Sequence, residues 1–173
     1  MGPGSPKVDG RPLVGILMGS RSDMPVMGKG ATLLEELGVP YEIRVMSAHR
    51  TPGLVVNYAS GAAARGLRVL IAGAGGAAHL AGVVAGHTLL PVIGVPMPTP
   101  MAGGLDSLLS TVQMPRGVPV ATVAVGGAEN AALLAAEILA LGDPGLAVRL
   151  AGYRERQARA ILEDASNQSD PAS

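Results

Sequence analysis

The chain has 173 residues, enough for one domain with a sizeable core. Hydrophobic residues make up 48% of it, charged residues 15%, and the formal net charge is zero, which argues against disorder and against nucleic-acid binding by charge alone. Aromatic residues are limited to three Tyr, so base stacking on single-stranded nucleic acid has little support. The absence of Cys excludes disulfides and Cys-zinc sites.

The first predicted elements are a strand, a helix and a second strand. Residues 13–18, LVGILM, are a short apolar run with β-branched residues, which is typical of a strand. Apolar positions at helical spacing predict a helix over residues 23–37, and Gly38 is its expected C-cap. Residues 41–46 are predicted to form the second strand.

The second helix has a clear start signal. Thr51 is a typical N-cap residue, and Pro52 suits the first helical position, so a helix is predicted from there to about Arg65. A third strand is predicted over residues 69–72. The glycine-rich segment GAGGAAHL follows it and leads into a helix that ends at Thr88.

The second half of the chain continues the alternation. Strands are predicted over residues 92–95 and 120–125, with the proline-rich loop PMPTPMAGG after the first of them. Helices are predicted over residues 106–112, 128–141 and 144–165, the last being charge-rich and amphipathic, with Leu146, Leu150, Tyr153 and Ile161 on one side.

Continuous apolar strands that alternate with helices are typical of a parallel sheet covered on both faces. The predicted fold class is therefore α/β, a three-layer αβα arrangement of the flavodoxin-like type with an extra C-terminal helix. We expect a flexible leader over residues 1–12, a single domain over residues 13–165 and a frayed tail over residues 166–173. The leader MGPGSPKVDGRP lacks the apolar segment of a signal peptide and no membrane helix is predicted, so we expect a cytoplasmic protein.

Ligands of such sheets bind at the carboxyl ends of the strands. Three segments rich in small and polar residues follow the first three strands, GSRSD, SAHR and GAGGAAH. GSRSD opens a helix, where backbone N–H groups and the hydroxyls of Ser20 and Ser22 favour a phosphate. An ordinary helix cap is an equally good interpretation of this segment.

Among the three histidines, His49 is the best candidate for general acid–base catalysis, because imidazole titrates near neutral pH. A capping or solvated loop histidine is the structural alternative. Arg50 suits a phosphate or a carboxylate, or is a surface charge. His79 either faces the ligand or caps a helix, and His87 is expected to be structural or at an interface. No acidic or histidine spacing indicates a metal site.

Five ordered segments together resemble the class I N5-carboxyaminoimidazole ribonucleotide mutase family of bacterial purine biosynthesis. They are MGSRSD, SAHRTP, AGAGGAAHL, GGLDSLLSTVQMPRGVPV and NAALLAAEILA, and the resemblance covers roughly residues 14–156. It implies an isomerase that needs no cofactor or metal. It also implies a homo-octamer whose active sites are each built from more than one subunit.

The resemblance also implies roles for individual residues. His49 would shuttle a proton while a carboxylate moves from the exocyclic nitrogen of the aminoimidazole ribonucleotide to ring carbon four. The implied substrate-binding residues are Ser20, Ser22, Asp23, Ser47, Arg50, Gly75, Gly76, Ala77, His79 and Leu80. The chain departs from the usual family pattern at Ala81, where a proline is common, and at Met24, where a tryptophan is common.

Two alternatives remain open at the level of sequence. One is the related carboxylase, which uses free carbon dioxide and the unmodified aminoimidazole ribonucleotide. The other is a nucleotide-binding module without catalytic activity, because a fold alone does not fix a function. The resemblance favours the mutase, because GAGGAAHL is the form that the class I mutases carry and the carboxylases carry a more polar sequence there. In the mutase, Ala77 and Ala78 would give carbon dioxide a dry niche.

Overall fold

The computed structural model describes residues 10–164, so residues 1–9 of the expected leader and the expected frayed tail lie outside the described part. Five parallel strands form one sheet in the order β2-β1-β3-β4-β5. The strands are β1 Val14–Met18, β2 Tyr41–Val45, β3 Val69–Ala74, β4 Val92–Pro96 and β5 Ala121–Thr122.

Strand β1 lies inside the sheet, with Val14 level with Tyr41 of β2 on one side and with Val69 of β3 on the other. All five of its residues are buried, which explains why its sequence is a continuous apolar run. Strand β2 is an edge strand, and it carries Glu42 and Arg44, charges that discourage further strand pairing. This strand order is that of the flavodoxin-like doubly wound sheet, so the predicted fold class is confirmed.

Between residues 10 and 164, six α-helices cover the sheet and complete the three layers. They are α1 Met24–Glu36, α2 Pro52–Gly61, α3 Leu80–Ala85, α4 Leu105–Val112, α5 Ala128–Ala140 and α6 Pro144–Leu162. One core cluster lies between the sheet and α1, α5 and the start of α6, and a second lies between the sheet and α2 and α3. None of the helices within residues 10–164 is both long enough and apolar enough to cross a membrane.

The expected apolar stripe of α6 is only partly used for packing. Leu146 and Leu150 are buried and Tyr153 packs against the first core cluster, but Ile161 is 67% exposed. Helix α6 has 19 residues and its neighbour α5 has 13, so its last turns extend past the core.

Several elements are shorter than predicted, among them α2, which ends at Gly61, and most clearly β5 and α3. Strand β5 ends early: the Val123 N–H still bonds Gly94 O, but the next ladder bond would need an N–H from Pro96, which proline lacks. Helix α3 ends at Ala85 rather than Thr88. The His87 ring nitrogen Nδ1 lies 2.8 Å from the Val83 carbonyl oxygen. In a continuing helix the backbone N–H of His87 would bond this carbonyl, so the side chain takes the place of that bond.

Candidate active site

A cavity of about 540 Å³ opens at the carboxyl ends of β1, β2, β3 and β4. It lies beside the point where the strand order reverses between β1 and β3, the usual ligand crevice of such sheets. The lining residues come from four loops: Gly19, Ser20, Ser22, Asp23, Ser47, Ala48, His49, Arg50, Ala74, Gly75, Ala77, His79, Leu80, Met97, Pro98 and Thr99.

The loop after β1 is closed by a reciprocal capping box. Ser20 Oγ accepts the Ser22 N–H at 3.3 Å, and the Ser20 N–H donates to Asp23 Oδ2 at 3.1 Å. Ser22 Oγ also donates to Ser20 Oγ at 2.8 Å. Ser20 and Ser22 both line the cavity as well, so their hydroxyls can reach a ligand there. The helix-cap interpretation of this loop and a role at the cavity are therefore compatible.

Asp23 is a half-buried carboxylate at the cavity wall. Burial raises its pKa above the ordinary value of 3.8, and this effect outweighs the hydrogen bonds from Ser20 and Ser22 and the attraction of Arg50, which lower the pKa. Asp23 thus takes up a proton at a higher pH than a solvated aspartate does.

The loop after β2 is a tight turn held by Ser47 and Thr51. Thr51 Oγ1 accepts the Ser47 N–H at 2.9 Å and donates to the Ser47 carbonyl at 3.0 Å, so this side chain closes the turn instead of capping α2. Pro52 occupies the first helical position as predicted. The Arg50 N–H bonds Ser47 Oγ at 3.2 Å, and its guanidinium donates to the Gly19 carbonyl at 2.8 Å. These bonds connect the first two loops of the cavity.

His49 and His79 meet across the cavity. His49 Nε2 lies 2.8 Å from His79 Nδ1, and the two rings stand nearly perpendicular, at 81°. One ring nitrogen donates and the other accepts, so the bond couples the two rings: when both are neutral, both carry their proton on Nε2 or both carry it on Nδ1. Both side chains are exposed in the single chain.

The glycine-rich loop after β3 forms another wall, through Gly75, Ala77, His79 and Leu80. Gly76 is the one predicted site residue that does not line the cavity. Its N–H points away from the cavity and donates to Ser107 Oγ of α4 at 2.9 Å. Ala78, part of the expected dry niche, is buried and also absent from the lining.

Sequence reasoning missed the contribution of the loop after β4, which supplies Met97, Pro98 and Thr99. Its position after a parallel strand was the available signal, because that places it at the same edge of the sheet as the other three loops. Two sites of departure from the family pattern pack normally: Ala81 is buried, and Met24 packs against the first core cluster.

The cavity thus combines an imidazole pair with hydroxyl and guanidinium donors and one carboxylate. Hydroxyl and guanidinium groups suit an anionic phosphate, and a carboxylate can accept hydrogen bonds from sugar hydroxyls. Within residues 10–164 no group of three His, Asp or Glu side chains could hold a metal ion. The arrangement is suited to binding a phosphorylated, hydroxyl-rich ligand next to a proton-transfer group.

Comparison with known proteins identifies several close relatives. The chain is 58% identical over 154 residues to the N5-carboxyaminoimidazole ribonucleotide mutase of Thermotoga maritima, covering 89% of this chain and 90% of the relative. The mutase of Mycobacterium tuberculosis is also 58% identical, with 87% of each chain covered. A phosphoribosylaminoimidazole carboxylase of Schizosaccharomyces pombe is 54% identical, but this chain spans only 28% of that protein.

The fold is also similar to solved structures. A crystal structure of Treponema denticola PurE has a TM-score of 0.83 and 39% identity, covering 92% of this chain and all of that one. The family profile described as AIR carboxylase matches residues 13–160. The chain belongs to the AIR carboxylase family.

Proposed function

We propose that this protein is a mutase that converts N5-carboxyaminoimidazole ribonucleotide to 4-carboxy-5-aminoimidazole ribonucleotide. The observation that carries the proposal is its 58% identity to proteins named as this mutase, over nearly the full length of both chains. The cavity supports it with a proton-transfer group, anion donors and a carboxylate at one edge of the sheet.

In the proposed reaction, His49 carries the proton. The bond between the exocyclic nitrogen and the carboxylate breaks and releases carbon dioxide, while the imidazolium of His49 gives a proton to that nitrogen. Ring carbon four then attacks carbon dioxide, and the neutral imidazole removes the proton from that carbon. One proton is given and one is taken back, so the reaction is a net isomerisation.

Residues around His49 would hold the nucleotide. Ser20, Ser22 and the start of the first helix would bind the phosphate, with the guanidinium of Arg50 nearby. Asp23 would accept hydrogen bonds from the ribose hydroxyls, and Ser47 would line the same side. All five residues face the cavity.

The glycine-rich loop would retain carbon dioxide. Gly75 and Ala77 bring backbone and a small side chain to the cavity wall, and Leu80 adds an apolar surface next to His79. A dry, closely fitted wall limits escape of the released molecule into water. Gly76 would act indirectly, because its N–H is bound to Ser107.

The carboxylase remains the second candidate, since similar segments occur in much longer proteins of that name in Schizosaccharomyces pombe and Vigna aconitifolia. Purified protein given the carbamate nucleotide without added bicarbonate distinguishes the possibilities. Rapid formation of the carbon-carboxylated product supports the mutase. Product formation only from the unmodified nucleotide with bicarbonate supports the carboxylase, and nucleotide binding without either reaction supports a non-catalytic module.

We also propose a homo-octamer located in the cytoplasm. Large apolar side chains are exposed on the single chain, and Leu105, Leu109 and Val112 share one face of α4 beside the cavity. Such a face suits burial against a second copy, which would also shield the exposed His49 and His79. Light scattering at micromolar concentration should give a mass near eight chains, and a monomer would contradict the octamer.

A further inference from the structure

Helix α4 holds both backbone polar groups of Gly76, although it lies outside the cavity lining. The Gly76 N–H donates to Ser107 Oγ at 2.9 Å, and the Gly76 carbonyl accepts the Ser110 hydroxyl at 3.2 Å. Ser107 is fully buried and Ser110 is half-buried. Two serines three residues apart on one helix therefore clamp a single glycine of the loop after β3.

The same helix also holds the loop after β4. Asp106, in the first turn of α4, accepts the Thr99 hydroxyl at 2.6 Å, and this bond is the main reason why the pKa of Asp106 lies below its ordinary value. Thr99 lines the cavity. One short helix thus connects two cavity walls through side-chain hydrogen bonds.

The path from Gly76 to His79 is short and stiff. Gly76 has φ of +64°, a left-handed conformation that glycine adopts without strain. The next residues turn tightly, with the Ala78 N–H bonding the Gly76 carbonyl and the His79 N–H bonding the Ala77 carbonyl, both at 2.8 Å. A shift of Gly76 would therefore move His79, whose Nδ1 contacts His49.

We propose that Ser107 and Ser110 are positioning residues that set the His49–His79 contact by fixing Gly76. This inference rests on the proposed function, in which His49 carries the proton. Neither serine lines the cavity, and their side-chain hydrogen bonds go to Gly76 and Asp106 rather than to either ring, although Ser110 and His79 border one neighbouring surface pocket. The two serines are therefore connected to the histidines by a hydrogen-bonded route that runs through the loop. Their removal should lower the turnover number while leaving nucleotide affinity nearly unchanged, because Ser20, Asp23 and Arg50 belong to other loops.

The test compares Ser107→Ala and Ser110→Ala with Thr111→Val. Thr111 is buried on the same helix and its hydroxyl bonds the Ser107 carbonyl within α4, so valine removes a buried hydroxyl without touching the glycine-rich loop. Ser110→Thr keeps the donor and serves as the conservative variant. Turnover number, nucleotide dissociation constant and the ¹⁵N NMR signals of the His49 and His79 rings are measured for each.

We expect each serine-to-alanine change to lower the turnover number about 10-fold or more, since small misplacements of catalytic groups are costly. The dissociation constant should change much less than the turnover number does. The ring ¹⁵N signals should shift from the matched tautomers that the contact requires toward independent tautomer mixtures on the two rings. Thr111→Val and Ser110→Thr should resemble the original protein in all three measurements.

The proposal is overturned if both alanine variants keep the original turnover and ring signals, or if Thr111→Val changes them equally. Should Ser107→Ala fail to fold, Ser110→Ala decides alone, because Ser110 is only half-buried. The NMR comparison needs no turnover. Absence of mutase activity would refute the proposed function. The positioning of Gly76 by Ser107 and Ser110 would still be testable through the histidine ¹⁵N signals.

Discussion

His49 Nε2 lies 2.8 Å from His79 Nδ1, although thirty residues separate the two histidines in the chain. The contact requires one ring to donate and the other to accept, so it cannot persist when both rings are protonated. His79 therefore orients His49, and the contact couples the tautomer of one ring to that of the other. In the proposed reaction this leaves His49 ready to exchange one proton with the substrate.

Replacement of His49 by Asn should abolish most of the activity. Asn keeps a polar side chain but cannot carry the proton, so turnover should fall at least about 100-fold, the lower limit of the usual contribution of acid–base catalysis. Steady-state kinetics and calorimetric titration with nucleotide measure the two effects, and binding should survive.

His87→Asn is the matched control, because the His87 ring bonds the Val83 carbonyl and lies outside the cavity lining. Its turnover should stay close to that of the original protein. Near-normal turnover of the His49→Asn variant would refute the role of His49.

Asp23 should make nucleotide affinity depend on pH. Burial raises its pKa, so its carboxylate takes up a proton, and its hydrogen bonds to the ribose weaken, at a higher pH than for an ordinary aspartate. Affinity should therefore decline as the pH falls toward the acid range. Asp23→Asn should bind about 10-fold more weakly at pH 7, as expected for the loss of a charged acceptor.

The substrate phosphate also titrates, near pH 6, but this affects the original protein and the Asp23→Asn variant equally. The difference between their affinity–pH curves therefore reports Asp23. The Asn side chain can still accept the Ser20 N–H, so the helix start is preserved. Parallel curves for the two proteins would show that Asp23 does not contact the substrate.

Much of the fold and several site segments were predictable from local sequence. Apolar runs marked the strands, and Pro52 and Gly38 marked helix boundaries, because these signals act over a few residues. The carboxyl-end rule for parallel sheets then placed Ser20, His49 and His79 at one edge.

What local sequence could not give depends on contacts between distant residues. The end of β5 is set by Pro96 of the neighbouring strand, and the closure of the Ser47 turn takes Thr51 away from its expected capping role. The outward direction of the Gly76 N–H depends on Ser107, thirty-one residues later. The spacing of apolar residues along the chain does not predict such contacts between distant residues.

Two glycines of α1 should respond oppositely to replacement by alanine. A Cβ on Gly30 would lie 2.6 Å from the Ala128 carbonyl oxygen of α5, so Gly30→Ala must push two packed helices apart and should cost about 1–3 kcal/mol of unfolding free energy. A Cβ on Gly28 would meet no atom within 4 Å, so Gly28→Ala should stabilise the protein by about 0.4–1 kcal/mol.

Urea unfolding at one fixed protein concentration measures both changes, since assembly makes apparent stability depend on concentration. The two positions share a helix and differ in what faces them, so each serves as the control for the other. Equal effects of the two substitutions would contradict the close approach of α1 and α5 at Gly30.

The most direct measurement of the central claim follows labelled carbon in a single turnover. Enzyme in excess is mixed with the carbamate nucleotide in a medium that contains ¹³C-bicarbonate, and the product is analysed by mass spectrometry. A mutase transfers the released carbon dioxide directly to ring carbon four, so the product should contain little ¹³C from the bicarbonate. Full equilibration of the product with labelled bicarbonate in the first turnover would contradict direct transfer and favour the carboxylase.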